Sequence, residues 1–488
     1  MRPFSMRDKL GYTLGDLGCC CTEQFRAMYL SVFYTLILQV NPFHIGILML
    51  ITKIWDAVND PIIGAIVDSR KATKGGKFIP WIRAFSFPMA VLCILGFVNV
   101  SNLAYGLRLA YMFVTYVLYE ALYTCVNVPF GTLSSVMTDD VRHRTALSRY
   151  RSLGGTIFMT VIVMVGPLVL YVDNKPVAGR FLMLASVFAL IGLLCLQITC
   201  VWCKERVAVP ERPKGEKLNY LHVIKEIAKN KALLGVMFFS LVGMIGASVV
   251  NGLNTYLFKD YFGNVKIMAV SGGLSVLYSL ITFAITQPLA DKLGKKEWCC
   301  WGAGFAAAVF ALLFFFPIHN PVLFIVINGV CYLGASGMQV LIWAMVNDSI
   351  DYHELQTGER NEGIVYSTYS FFRKLASAVS GSLSSFVLGF IGYNVAEGAV
   401  QTAEVSNAIW KSYTGIYVLG YGVAVAILFF VYPLTKAKTT EMLEQLKARR
   451  AEKASTVQAL ASQGGGIVLR NALDSTSPAD HLTVSPLL

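Results

Sequence analysis

The chain has 488 residues, 55% of them hydrophobic and 14% charged, with a mean hydropathy of +0.58. An ordinary soluble domain is about a quarter charged, so this composition excludes one and points to a chain that crosses a membrane many times. The net charge of +12 is not read as nucleic-acid binding, because Lys and Arg gather in the cytoplasmic loops of membrane proteins and they do so here.

A membrane-crossing helix needs about 20 mostly apolar residues. Twelve such stretches follow one another, near 11–38, 45–68, 81–100, 107–136, 150–172, 180–203, 232–258, 267–290, 298–317, 322–346, 363–391 and 411–434. Asp16 interrupts the first stretch and no A-x-A-type cleavage site follows, so it is read as a retained span. Span 1 also holds Cys20, Glu23, Gln24 and Arg26; Asp16, Cys20 and Glu23 share a helical face, whereas Glu23 and Arg26 can pair with each other.

Span 2 reads KIWDAVNDPIIGAIVD. Asp56 and Asp60 are one turn apart on one face. Each carboxylate at the bilayer centre costs about 2.5–3.5 kcal/mol on insertion scales. A cation, a proton or a positive side chain must offset that cost. Asn59 adds an amide oxygen, and Pro61 frees a backbone carbonyl. Such an oxygen set suits a hard cation; pairing with basic residues that only orient helices is the alternative.

Span 4 reads YVLYEALYTCVNVPFGTL and places Glu120, Tyr123, Thr124 and Asn127 on one face. That face suits a polyhydroxylated ligand or an ion, although interhelical hydrogen bonds would use the same residues. Trp343 in span 10 can stack on the apolar face of a sugar or pack as core. Lys374 in span 11 is a candidate countercharge for the span 2 carboxylates, unless it snorkels to the surface.

The basic residues fall in alternate loops: Arg70, Lys71, Lys74 and Lys77 after span 2, Arg142, Arg144 and Arg149 after span 4, and Lys292, Lys295 and Lys296 after span 8. The middle loop is also basic. Both termini are therefore expected in the cytoplasm. GAIVDSRKATKGGK after span 2 and PLADKLGKK after span 8 echo each other about half the chain apart, as two like halves would. The expected divisions are a six-helix bundle over 1–203, a cytoplasmic loop over 204–231, a second bundle over 232–434 and a partly helical, then flexible tail over 435–488. The eleven cysteines show no zinc-ligand spacing and read as small buried hydrophobes.

KIWDAVNDPIIGAIVDSRKATKGGKFIPWI, DSIDYHELQTGERNEG, YSFFRKLASA and LGYTLGDLG together resemble the glycoside–pentoside–hexuronide:cation symporters, a branch of the major facilitator superfamily. The resemblance covers about residues 7–434. It implies an all-α membrane protein of twelve transmembrane helices in two six-helix bundles that works by alternating access. It further implies uptake of a sugar with Na⁺, Li⁺ or H⁺. The cation site would be Asp56, Asn59, Asp60 and Thr124, with Lys374 as the nearby coupling Lys. Tyr123 and Asn127 would meet sugar, and Arg149 or Arg151 would be the span 5 Arg. Melibiose-permease-like members bring one acid to the sugar from span 1 and one from span 4. Cys20 and Asn127 stand at those positions, with Asp16 one turn and Glu120 two turns away. The departure suits an anionic sugar such as a hexuronide, or a different glycoside.

The expected function is import of a sugar or glycoside with Na⁺ or H⁺, by a monomer in the cell membrane with no cofactor. A lysolipid-type carrier of the same fold and a non-transporting sensor are the alternatives. A membrane-embedded enzyme lacks any nucleophile–base constellation.

Overall fold

The computed structural model describes residues 3–69, 75–138, 140–207, 230–357, 369, 372–373, 376, 380, 382–396 and 399–462. In a bilayer every backbone N–H and C=O must be satisfied within the protein, which leaves helices as the economical way across. The apolar stretches accordingly form α1 (Met6–Leu36), α2 (Pro42–Ser69), α3 (Ile79–Leu95), α4 (Tyr105–Met137), α5 (Val141–Leu170) and α6 (Ala178–Trp202). The second half holds α7 (Lys231–Tyr256), α8 (Ile267–Leu293), α9 (Lys295–Phe315), α10 (Pro321–Ala335), α11 (Gly337–Thr357) and α12 (Ala403–Phe430). Most of span 11 lies outside the described residues; 382–390 is helical. A short hairpin, β1 (Tyr171–Val172) with β2 (Lys175–Pro176), links α5 to α6.

Seven described helices or helix pairs are long and apolar enough to cross a membrane. They carry large exposed side chains such as Phe283, Trp301, Phe315 and Phe430, as a lipid-facing surface requires. The chain is a multi-pass membrane protein. Span 10 differs from its expected form. It breaks into α10 and α11 at Ser336 and runs on to Thr357, where the apolar run had suggested an end near 346.

Two buried clusters divide by half. One joins Tyr12, Trp81, Phe130 and Leu196, and the other Met237, Met338, Tyr432 and Leu446. A third holds Phe25, Phe33, Phe181, Phe258 and Trp410 and spans both halves. It lies at the end of the bundle remote from Ser5 and the chain's last helix, here called the distal face. Gly18 of α1 and Gly192 of α6 meet backbone to backbone: a Cβ on either would lie 2.8 Å from the other's carbonyl oxygen. Small residues let membrane helices approach this closely.

The repeat is visible in the turns. Gly76 (φ +104°) precedes α3 and Gly294 (φ +110°) precedes α9. Each lies against a glutamate, Glu205 and Glu297 respectively. Glu205 accepts from the backbone N–H groups of Lys77 (2.7 Å), Phe78 (2.8 Å) and Ile79 (2.8 Å), capping α3 with a carboxylate where the helix dipole favours one. Glu297 accepts from the N–H of Lys436 (3.1 Å). In both halves the chain leaving the last helix is tied to the turn before the third.

The tail begins with α13 (Lys436–Ser462). It is the helical part expected of the tail, and its Met442 and Leu446 are buried against the second half. Arg450 pairs with Asp351 (3.3 Å) and Glu354 (Nε to Oε1, 3.0 Å) of α11, and Arg449 donates to the Leu355 carbonyl (3.0 Å).

Gly76→Ala should lower stability by about 1–3 kcal/mol, the cost of a side chain in a glycine-only conformation. Gly106→Ala, with nothing within 4 Å of its Cβ position, should change it by less than about 1 kcal/mol. Apparent unfolding temperatures in detergent compare the two; equal shifts would refute this account of the turn.

Candidate functional site

The site grows from the face of α2. Lys53, Asp56, Asn59 and Asp60 fall within two turns of one helix, and α4 packs along it. Thr124 Oγ1 of α4 donates to Asp60 Oδ1 at 3.0 Å. Lys53 Nζ lies 3.2 Å from Asp56 Oδ2 and 3.8 Å from Glu120 Oε2, so one ammonium stands between two carboxylates of different helices. Glu120 and Asn59 are buried, at 3% and 5% exposure. Among the described residues, Asp56 Oδ1 and Asn59 Nδ2 are buried without a hydrogen-bond partner. Leaving such a group unsatisfied costs about 1–3 kcal/mol, which favours any state that brings it a partner. Two carboxylates, an amide and a hydroxyl make a hard-oxygen donor set.

A second group forms where α1 crosses α5. Asp16 Oδ1 accepts from Arg151 Nε at 3.0 Å, and Asp16 Oδ2 accepts from the Gly155 N–H at 3.0 Å. Gly154 allows the crossing: a Cβ there would lie 2.5 Å from the Thr13 carbonyl oxygen. Cys20 Sγ is 3.9 Å from Asp16 Oδ2, and Gln24 Nε2 is 3.9 Å from Cys20 Sγ. Arg151 also lies over the ring of Phe130, 5.3 Å from its centroid. The Arg151 side chain is 39% exposed although it sits three turns inside α5, about 15 Å from the helix start. The pair is therefore reachable from outside the packed core.

Tyr123 stacks on Tyr119 with ring centroids 6.0 Å apart, and both Tyr123 and Asn127 are half-buried. The structure thus sends the polar face of α4 in two directions. Glu120 and Thr124 turn to α2, whereas Tyr123 packs beside Tyr119 at the margin of the first-half core and Asn127 is half-buried. Trp343 belongs to the second half, edge-on to Tyr369 at 5.0 Å and beneath Arg373 at 5.9 Å. Lys374 and the side chains of Arg149 and Asp68 lie outside the described residues.

Two charged residues acquire clearer roles than the sequence suggested. Lys53 is the countercharge that the described residues supply to Asp56; its place three residues before that Asp is the signal that could have identified it. Arg26 does not pair with Glu23. Arg26 is 3% exposed, and its guanidinium makes no hydrogen bond among the described residues and lies over the rings of Tyr119 (3.7 Å) and Tyr116 (5.0 Å). Cation–π attraction of this kind is strongest when desolvated.

Lys53→Ala strands the buried Glu120 and the half-buried Asp56 and should cost about 2–4 kcal/mol, below the loss for a fully buried pair. Adding Glu120→Gln should recover at least about 1 kcal/mol of that loss. A double-mutant cycle on thermal stability reads the coupling; strictly additive effects would show that Lys53 and Glu120 do not interact.

Residues 11–436 match the family model described as MFS/sugar transport protein. The chain is 31% identical over 446 residues to the uncharacterized symporter YjmB of Bacillus subtilis (strain 168), covering 91% of this chain and 95% of that one. It is 29% identical over 454 residues to the isoprimeverose transporter of Lactiplantibacillus pentosus, covering 92% and 93%. Among solved structures, a bacterial homolog of the human lysosomal transporter Spinster, in an inward-facing and unoccupied conformation, superposes with a TM-score of 0.63 at 11% identity, covering 88% and 96%. That likeness shows the fold alone. With a family model matched over nearly its whole length, this chain is a transporter rather than an enzyme, and it belongs to the sugar-transport family of the major facilitator superfamily.

Proposed function

We propose that the protein imports a sugar or glycoside in symport with a monovalent cation, Na⁺ or H⁺, by alternating access of two six-helix bundles, 1–203 and 232–434. The observation that carries this reading is the contact of Thr124 with Asp60 (3.0 Å) beside the partly unsatisfied Asp56 and Asn59. An ion on that oxygen set would be held by α2 and α4 together. Tyr123 and Asn127 of the same α4 segment would face the sugar. Loading the ion would then order the helix that the sugar touches. Such coupling must be reciprocal: the sugar tightens the ion as the ion tightens the sugar.

The polar wall for the sugar would be Asp16, Cys20, Arg151, Tyr123 and Asn127, with Trp343 from the second half and Glu120 acting behind it through Lys53. Cys20 and Asn127 are uncharged, and among the described residues Asp16 is the one carboxylate that meets Arg151. A guanidinium with one carboxylate neighbour can still take a second by its remaining N–H groups. This favours an anionic sugar such as a hexuronide. Lys374 would add to the positive charge near the ion once the bundles close. The protein would act as a monomer in the cell membrane with both ends in the cytoplasm, the basic loops holding that orientation.

Uptake into proteoliposomes under an imposed Na⁺ or H⁺ gradient tests the proposal. Asp60→Asn should reduce gradient-driven uptake at least about tenfold, the loss expected when one charged ligand of an ion is removed. Unchanged uptake would remove Asp60 from the ion site.

A thermal-shift screen of glycosides, pentosides and uronides, each with and without Na⁺, addresses substrate and ion together. By linkage, the coupled ion should enlarge the stabilisation given by the right sugar. A uronide that stabilises equally at every Na⁺ concentration and every pH would overturn symport for that substrate.

A further inference from the structure

The distal face holds a contact between the halves that transport chemistry does not use. The hairpin between α5 and α6 turns through Asp173 (φ +48°) and Asn174 (φ +63°). Two successive left-handed residues make the tight turn that matches strand twist, and Asp and Asn tolerate that conformation best. The turn carries the Asn174 side chain across to the second half. There its Nδ2 donates to the Lys259 carbonyl at 2.9 Å, and its Oδ1 accepts from the Val265 N–H at 2.9 Å. One amide thus satisfies two backbone groups of the other bundle.

The receiving segment is unusual and well fixed. α7 ends in a π turn, Leu257–Tyr261. Carbonyls in a terminal turn lack an onward N–H partner, and the Lys259 carbonyl finds Asn174. Asp260 anchors the turn: its carboxylate meets Lys259 Nζ (2.6 Å) and the Tyr393 hydroxyl (2.7 Å), and its carbonyl accepts from Ser406 (3.2 Å). Val265 is 1% exposed, so breaking the contact leaves a buried N–H unsatisfied unless water enters. Ser31 of α1 and Ser385 of the helical stretch 382–390 meet nearby, 3.2 Å apart across the same seam.

We propose that Asn174 is the latch of the distal gate. Its paired hydrogen bonds hold the halves together at this face, and opening of that face requires the hairpin tip to leave the π turn. The inference rests on the two-bundle reading of the fold and not on which sugar or ion is carried. It predicts a device with a defined release, because both bonds are made by one side chain and fail together.

The test is alkylation of Ser31→Cys by a maleimide in lipid nanodiscs, with no sugar and no coupling ion, followed by mass spectrometry of each cysteine. The same preparation without Ser31→Cys gives the background from native cysteines. Asn174→Gly keeps the positive φ of the turn but removes the amide; it should raise the labelling rate about ten- to thirtyfold, the effect of two hydrogen bonds of about 1 kcal/mol each. Asn174→Asp keeps the acceptor for Val265 and loses the donor to Lys259, so it should fall between. It also carries the test if the Gly variant does not fold. Unchanged labelling in a folded variant would overturn the latch. So would an equal rise at Cys299, buried in the second half away from this face, because that would report general loosening. A wrong sugar or ion assignment would alter neither rate.

Discussion

Charge placed inside a membrane bundle must find a partner, an opposite charge or an aromatic face, and this requirement organises the first half of the molecule. α2 brings a Lys and two Asp to one face. α4 answers with Glu120 and Thr124, and α1 answers α5 with Asp16 for Arg151. An isolated buried ion is far more costly than a paired one, so these contacts fix the rotation of each helix about its axis. A helix turned by one residue, about 100°, would point an Asp at lipid.

The same contacts would give the proposed ion and sugar sites a short path of coupling. Thr124 and Tyr123 are adjacent, and Asn127 is one turn further along α4. Adjacent residues on a helix face different ways, so one segment reaches α2 with one side chain and the half-exposed face with the next. A change in the charge of Asp60 would be felt first at Thr124, and the rigid helix would transmit a small rotation to Tyr123 and Asn127. Glu120 supports this arrangement by sharing Lys53 with Asp56, which leaves Asp56 only partly neutralised.

Much of this was legible in the residues. Apolar runs located the helices because length and hydropathy report the bilayer directly. The i, i+4 spacing of Asp56 and Asp60 placed them together, and the resemblance supplied Thr124 as their partner. What was not legible depended on tertiary geometry. Lys53 could as well have snorkelled, and only the position of α4 shows that its ammonium reaches Glu120. Arg26 read as a partner for Glu23 because i, i+3 pairing is the local option; the rings of Tyr116 and Tyr119 come from another helix. The docking of α13 was hidden because Met442 and Leu446 are two apolar residues in a charged segment. The break at Ser336 carries no proline to announce it.

The interior of each half and the seam between the halves differ in their chemistry. Among the described residues each ionic contact sits within one half, Lys53 with Asp56 in the first and Lys259 with Asp260 in the second, where it can stay formed while the bundles move as bodies. The hydrogen bonds seen across the seam, at Asn174 and at Ser31, are between neutral groups. Neutral bonds of this kind contribute about 0.5–1.5 kcal/mol each, whereas breaking a buried ion pair costs about 3–5 kcal/mol. A ligand shifts a conformational equilibrium only by its differential affinity for the two states. A seam closed by buried ion pairs would ask more of a transported ligand than a cycle of repeated opening permits. A seam closed by apolar packing and a few neutral bonds keeps both states within reach, and it leaves the strong electrostatics where they define the site rather than obstruct the motion.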